Sequence, residues 1–416
     1  MWKRWRIRIM LFLAVLGPGF ITANVDNDSG GILTYSQAGA QFGYTLLWTM
    51  IPITIALIVV QEMCARMGVV TGKGLSDLIR EEFGLRVTFV IMVLLVVVNY
   101  TNVVTEFIGI AGSLHLFHVA KFFSVPVCAV LVWVLVLRGD YKSTEKIFLI
   151  ASLVYIAYIF AGILAQPDWH ESLRATVMLP AKSVWRDKAY MYMAIGVVGT
   201  TIAPWMQFYL QSSIVEKGVP VKDYPASRLD VIVGCFFTDV IAWFIIVACA
   251  ATLFVHGMGA IQVAADAAEA MRPLAGDYAF VLFAFGLFNA SLFAASILPI
   301  STAYTVCEGL GVESGVDKNF RSAPFFYWLY TLLIAGGALT VLLLPDSQLI
   351  NVAILSQVLN GVLLPVVIIL MLLLINRTDL MGEYKNSRLW NWIAWGTSII
   401  VIGMTFAMLW GMIPGH

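Results

Sequence analysis

Apolar residues run along this chain in blocks of about 20, the length a helix needs to cross the hydrocarbon core of a bilayer. Short stretches between the blocks hold most of the charge. The pattern predicts eleven spans, at 9–36, 44–68, 87–115, 121–137, 146–165, 190–214, 229–256, 277–308, 325–344, 350–375 and 389–412. Two of them are interrupted. The first carries Val25-Asp26-Asn27-Asp28-Ser29-Gly30-Gly31 in its middle, where two carboxylates, an amide and paired glycines favour unwinding. The sixth carries Gly199-Thr200-Thr201-Ile202-Ala203-Pro204-Trp205, whose proline removes a backbone donor and breaks the helical ladder. Interruptions five spans apart predict two inverted repeats with a site between the broken helices. On pattern alone, two unrelated kinks would look the same. The first repeat would span 9–166, the second 190–375, with an extra helix at 389–412.

Composition narrows the class. Of 416 residues, 60% are hydrophobic and 12% charged, and the mean hydropathy is +0.88. A soluble domain carries roughly 25% charge, so this is a polytopic membrane protein whose surroundings are lipid. The formal net charge is zero, which gives no basic field for nucleic acid. Cys64, Cys128, Cys235, Cys249 and Cys307 form no close pair and are read as packing residues. The basic start, Lys3, Arg4, Arg6 and Arg8, is read as a cytoplasmic anchor rather than a cleaved signal. With the N-terminus inside, 19 lysines and arginines fall on the inner side and 6 on the outer. That asymmetry predicts a multi-pass protein of the cell membrane with a cytoplasmic N-terminus and an extracytoplasmic C-terminus.

Carboxylates in mid-membrane are costly unless they face a cavity, an ion or a partner. Asp28 is the leading cation ligand, with a helix-terminus cap as its plain alternative. Asp26 and Asn27 are placed on the approach. Unwound backbone would turn the carbonyls of Val25 and Thr200 into hard oxygen ligands. Gln207 stands one turn past Ala203 and could reach a metal-bound water or bond a neighbouring helix. Asp239 is an acid in an apolar run, open to a pathway or an interhelical role, and Glu106 to an ion pair, a hydrogen bond or a proton relay. Glu62 is expected to pair with Arg66 at i+4. His115 and His118 are read as an interfacial pair, and Asn376-Arg377-Thr378 as a glycosylation pattern on the wrong side. No nucleophile–base set or phosphate loop points to an enzyme, and nothing suggests a cofactor or an obligate protein partner. Acids at the first break argue against an anionic organic substrate.

Several stretches resemble the Nramp metal transporters: Gly17-Pro18-Gly19-Phe20, Asp28-Ser29-Gly30-Gly31 and Gln37-Ala38-Gly39-Ala40-Gln41-Phe42-Gly43-Tyr44 in the first span, and Ala65-Arg66-Met67-Gly68 through Leu75 after the second. Thr105-Glu106-Phe107-Ile108-Gly109, Leu355-Ser356-Gln357-Val358 with Leu364-Pro365, and Asp379-Leu380-Met381-Gly382 complete the series. The resemblance runs through nearly the whole chain in matching order. It implies a LeuT-type fold, divalent cation transport with the metal as substrate, and a place for Gln357 near that metal.

The departures carry further implications. In the family's manganese and iron carriers, an Asp and an Asn of the first span and a Met of the sixth hold the metal. Here Asp28 remains, while Gly31 and Ala203 stand at the Asn and Met positions. The match after Ala203 is shifted by one residue, which leaves the register of 203–207 open. Loss of a thioether removes the preference for soft metals, and lost volume suits an ion that keeps its water, as magnesium does. The Nramp-related magnesium transporters show the same departures. Val103 and Trp205 occupy positions where proton-coupled relatives carry Asp and His. The implied function is uncoupled uniport of hydrated magnesium, with manganese accepted. The rivals are a proton-coupled manganese or iron transporter and, from another class, an amino-acid-like solute transporter on the same fold.

Overall fold

The computed structural model describes residues 17–138, 155–257, 259–261, 264–316 and 318–411. The basic N-terminal anchor and the first half of the fifth predicted span lie outside the described residues. The first predicted span is two helices, α1 (Pro18–Val25) and α2 (Ser29–Phe42). A 3₁₀ stretch leads from α2 into α3 (Met50–Thr71). Then come α4 (Leu75–His115), α5 (Lys121–Arg138), α6 (Ile156–Leu164) and α7 (Trp169–Val177). The sixth span is again two helices, α8 (Lys188–Thr201) and α9 (Pro204–Lys217). They are followed by α10 (Tyr224–Cys249), α11 (Ala264–Leu310), α12 (Pro324–Leu343), α13 (Asp346–Ile375), α14 (Thr378–Met381) and α15 (Arg388–Gly411). Among the described residues, 8 helical stretches are long and apolar enough to cross a bilayer, and α5 supplies a shorter apolar helix over Lys121–Leu137.

The two largest shifts from the predicted boundaries share one reason. α4 starts before residue 87 and α11 before 277, because each begins with a segment that bends into the span at a glycine. The bends are Gly84 at φ 80°, ψ 168° and Gly276 at φ 74°, ψ 175°, angles that only glycine adopts without strain. These matching helices make the most extensive helix–helix packing in the molecule. Within the predicted loop 166–189 lies α7, whose first turn is capped by Asp168 accepting from Glu171 N at 2.9 Å.

Apolar side chains point both ways, as expected where the solvent is lipid. Phe122, Leu343 and Trp392 are 70%, 76% and 78% exposed while the helices' other faces form a continuous core. All five cysteines are buried and free. The expected Glu62–Arg66 pair forms at 3.0 Å. Arg66 also donates to Asn386 Oδ1 at 2.5 Å and Tyr384 O at 3.0 Å, and the Tyr224 hydroxyl donates to Glu62. This cluster ties α3 to α10 and to the chain before α15. Asn376 spends its amide on Leu372 O and Asn391, so that side chain is already engaged.

The start of α1 is held from a distance. Pro18 sits in its first turn and no local side chain caps it. Instead Asp230 on α10 accepts from Gly17 N at 2.9 Å, Gly19 N at 2.8 Å and Phe20 N at 3.1 Å. Three freed donors meet one carboxylate, and the negative charge lies at the positive end of the helix. Asp230→Ala is expected to cost about 3 kcal/mol, with Asp230→Asn losing less because one acceptor oxygen remains. Thermal unfolding in detergent would show it, and an unchanged midpoint for Asp230→Ala would refute the cap.

Candidate metal centre

Residues 26–28 separate α1 from α2. Asp26 still lies in the helical region, but Asp28 is extended at φ −67°, ψ 179° and serves as the N-cap of α2. Its Oδ1 accepts from Gly31 N at 2.6 Å. Ser29 N, one residue after the cap, donates to Glu106 Oε2 at 3.1 Å, and Ser29 Oγ donates to Thr105 O at 2.6 Å. Two carboxylates therefore serve the opening turn of α2, one local and one from α4. Both carboxylates thus converge on one turn, and Glu106 Oε1 is left buried there without a hydrogen-bond partner.

Packing explains the glycines. A Cβ on Gly30 would overlap the Gln357 amide, and one on Gly109 would overlap Ser29 and Ser291. A Cβ on Gly31 would lie 2.6 Å from Asp26 O, 3.2 Å from Thr200 Oγ1 and 3.4 Å from Asp28 Oδ1. Gly31 thus borders a backbone carbonyl, a hydroxyl and a carboxylate, and through Thr200 the two broken helices meet. The Thr200 hydroxyl is buried without a hydrogen-bond partner, an oxygen the sequence reading counted only as a carbonyl. Val25 closes α1 and Thr200 lies in the last turn of α8, where helix carbonyls run out of donors.

The other break is built differently. Ala203 is the extended N-cap of α9, at φ −68°, ψ 136°, and it offers no side-chain cap. Gln207, one turn on, brings its amide end to 2.7 Å from Ala203 O and 2.6 Å from Pro204 O, contacts that between two carbonyl oxygens only its nitrogen can make as a donor. Its donors therefore hold the break. Trp205 is fully buried, with its ring 6.2 Å from Tyr209 and its carbonyl accepting from Ser301 Oγ at 3.1 Å.

Gln357 reaches the centre through an amide network. It accepts from Asn360 Nδ2 at 2.9 Å and donates to Ser356 Oγ at 3.0 Å, while Asn102 and Asn360 exchange bonds of 3.1 and 3.0 Å. Small residues bring this helix close, since a Cβ on Gly199 of α8 would overlap the backbone at Gln357 and Gly361 of α13. Asn102 and Asn360 were missed in the sequence, although amides in apolar spans, three residues from Thr105 and from Gln357, were the available signal.

Asn27 donates to Thr238 O at 3.1 Å and Thr238 Oγ1 at 2.6 Å, which ties the first break to α10. Asp239 is the next residue. None of Asp26, Asn27, Asp28, Glu106, Thr200, Gln207, Asp239 and Gln357 is more than 4% exposed, so the candidate centre is buried. His115 and His118 lie exposed at the end of α4, away from it. Among the described residues, no three of His, Cys, Asp and Glu converge on one point.

The whole chain has known relatives. Residues 19–411 match the family model described as natural resistance-associated macrophage protein-like. The chain belongs to the Nramp family. Among the relatives, the divalent metal cation transporter MntH of Nostoc sp. is 28% identical, over 96% of this chain and 92% of its own. MntH of Deinococcus radiodurans is 26% identical, over 97% and 91%. A manganese transporter structure from Eremococcus coleocola superposes with a TM-score of 0.77 at 20% identity, covering 97% of this chain and 88% of that one. Mhp1, a nucleobase-cation-symport-1 family transporter, superposes with a TM-score of 0.61 at 14% identity, covering 95% and 92%. This Nramp chain therefore has the LeuT-type fold expected of it. The relatives are carriers, not enzymes, and in such a family a metal is cargo rather than cofactor.

The contact between Gly30 and Gln357 yields a prediction. Gly30→Ala should destabilise by about 1–3 kcal/mol, and Gln357→Ala, which removes the obstructing amide, should relieve part of that cost in the double variant. Thermal unfolding of both single variants and the double tests the coupling, and strictly additive effects would rule it out.

Proposed function

We propose that this Nramp chain carries magnesium with part of its water shell, accepts manganese beside it, and moves the ion as a uniporter without protons. The coarser function, divalent metal cation transport, follows from family membership. One observation supports the finer reading. The two positions where the family resemblance implies side-chain ligands hold Gly31 and Ala203, and what borders Gly31 is the Asp28 carboxylate, the Asp26 carbonyl and the Thr200 hydroxyl. All are hard oxygens, and none is a thioether. Asp28 would be the central charge, with the carbonyls of Val25 and Thr200 and the amides of Gln207 and Gln357 contributing directly or through water.

The uncoupled mode draws support from the two apolar replacements. Val103 is fully buried against Gly337 of α12, and Trp205 is fully buried against Tyr209. Neither offers a titratable group to a relay. Inward movement of a divalent ion gains about 4.6 kcal/mol per 100 mV of membrane potential, so no proton gradient is needed. The N-terminus would be cytoplasmic and the C-terminus extracytoplasmic. Residues 9–166 and 190–375 would form the inverted halves, their correspondence supported by the paired breaks and by the matching bends at Gly84 and Gly276. A second reading, proton-coupled manganese transport, draws its metal from the name of a manganese transporter among the similar structures and its proton from two buried carboxylates, Asp28 and Glu106, that serve the same turn of α2.

Proteoliposomes loaded with a magnesium dye and a pH dye separate the two readings. Magnesium entry without acidification is expected, and stoichiometric proton movement would overturn uniport. Asp28→Ala should abolish uptake in the same assay, while near-normal uptake would remove Asp28 from the centre. Ala203→Met should restore soft ligation, making cadmium at least about tenfold more potent as a competitor of magnesium uptake. Unchanged cadmium sensitivity would show that position 203 does not face the ion.

A further inference from the structure

The Asp28 centre leaves two buried acids unused. Both carboxylate oxygens of Asp26 and both of Asp239 are buried without a hydrogen-bond partner. The Thr54 hydroxyl lies beside Asp239, but it donates to Met50 O at 2.7 Å. The two acids are held together by the residues next to them. Asn27 follows Asp26, Thr238 precedes Asp239, and the Asn27 amide is pinned to Thr238 by bonds of 2.6 and 3.1 Å. That clamp spends both Asn27 donors on Thr238 and leaves Asn27 Oδ1, also buried, with no donor of its own. Asp26, Asn27 and Asp239 therefore lie at one junction, where α1 gives way to α2 and passes α10, and four carboxylate oxygens and an amide oxygen are buried there without a partner. Among the described residues, the only buried basic side chain is Arg66, which is engaged with Glu62 and the chain around Asn386.

From this geometry we infer that Asp26 and Asp239, with Asn27 Oδ1, form a second divalent-cation site beside the Asp28 centre, so that the transport path holds two ions at once. The inference rests on the divalent-cation reading above. Its chemistry is that of hard oxygen, two carboxylates completed by one amide oxygen and water, which suits a hydrated magnesium-sized ion. It also balances charge. One divalent ion answers Asp28 and Glu106, and a second answers Asp26 and Asp239, whose burial would otherwise cost several kcal/mol per charge. Two adjacent ions repel, and that repulsion lets each leave a site that binds it well, as in multi-ion conduction.

Manganese serves as the probe under either account of the cargo. Binding to the full purified chain in detergent should show about two ions per chain, falling to about one in Asp239→Asn and in Asp26→Asn. The paramagnetic resonance spectrum of the wild-type complex should be broadened by coupling between neighbouring ions. Asp239→Asn should return it to the sharp pattern of an isolated ion, and Asp239→Glu should keep the coupling. A wild-type chain that binds one isolated ion overturns the second site and leaves divalent-cation transport standing. A wild-type chain that binds none overturns both. Two ions retained in Asp239→Asn place the second ion elsewhere and also refute the proposal. If a variant does not fold, the wild-type count and spectrum still decide.

Discussion

A helix broken inside a bilayer frees backbone donors and acceptors that lipid cannot satisfy, and the rest of this structure depends on how they are met. The break at 26–28 exposes the first turn of α2, which is served by the Asp28 and Glu106 carboxylates. The start of α1 is served by Asp230 of α10. The break at 202–203 is closed by the Gln207 amide on the Ala203 and Pro204 carbonyls. Each solution joins a broken helix to an acid or amide, and two of the four groups come from other helices. The same groups that stabilise the breaks therefore fix the positions of α4 and α10 around the centre.

Close approach makes this possible. Gly30 admits the Gln357 amide, Gly109 admits Ser29, and Gly199 lies on the backbone of α13. Without side chains at these points the helices come near enough for Asn102, Asn360 and Gln357 to share one network. The centre that results has little bulk beside its acid. Gly31 faces oxygen on three sides, and Ala203 adds only a methyl group.

Part of the candidate centre was legible in residue order, because acids and glycines in the middle of an apolar run are rare and expensive there. Asp26, Asn27, Asp28, Thr200, Ala203 and Gln357 stood out for that reason or through the family resemblance. Glu106 stood out as well, but its hydrogen bond to Ser29 N depends on α4 packing against α2, which no local pattern encodes. Asp230 went unremarked because it lies near a predicted span end, where an acid is cheap. Its three partners are more than two hundred residues away in the chain. Asn102 and Asn360 were passed over for a related reason, since an isolated amide in an apolar span shows no partner until two helices are laid together.

Hydrophobic blocks, the two interruptions and the composition were enough to establish a membrane protein with two broken helices, because bilayer thickness and the cost of buried charge act on local sequence. The family motifs extended this to the LeuT-type fold. Which acids serve one turn, which amide closes a break, and which carboxylates remain without partners were decided by tertiary packing. Those relations join residues such as Asn27 and Thr238 that are distant in the chain and meet only when α1 and α10 pack. Hydrogen bonds and charge interactions act over a few ångströms in space, and neither residue order nor spacing along the chain carries that distance.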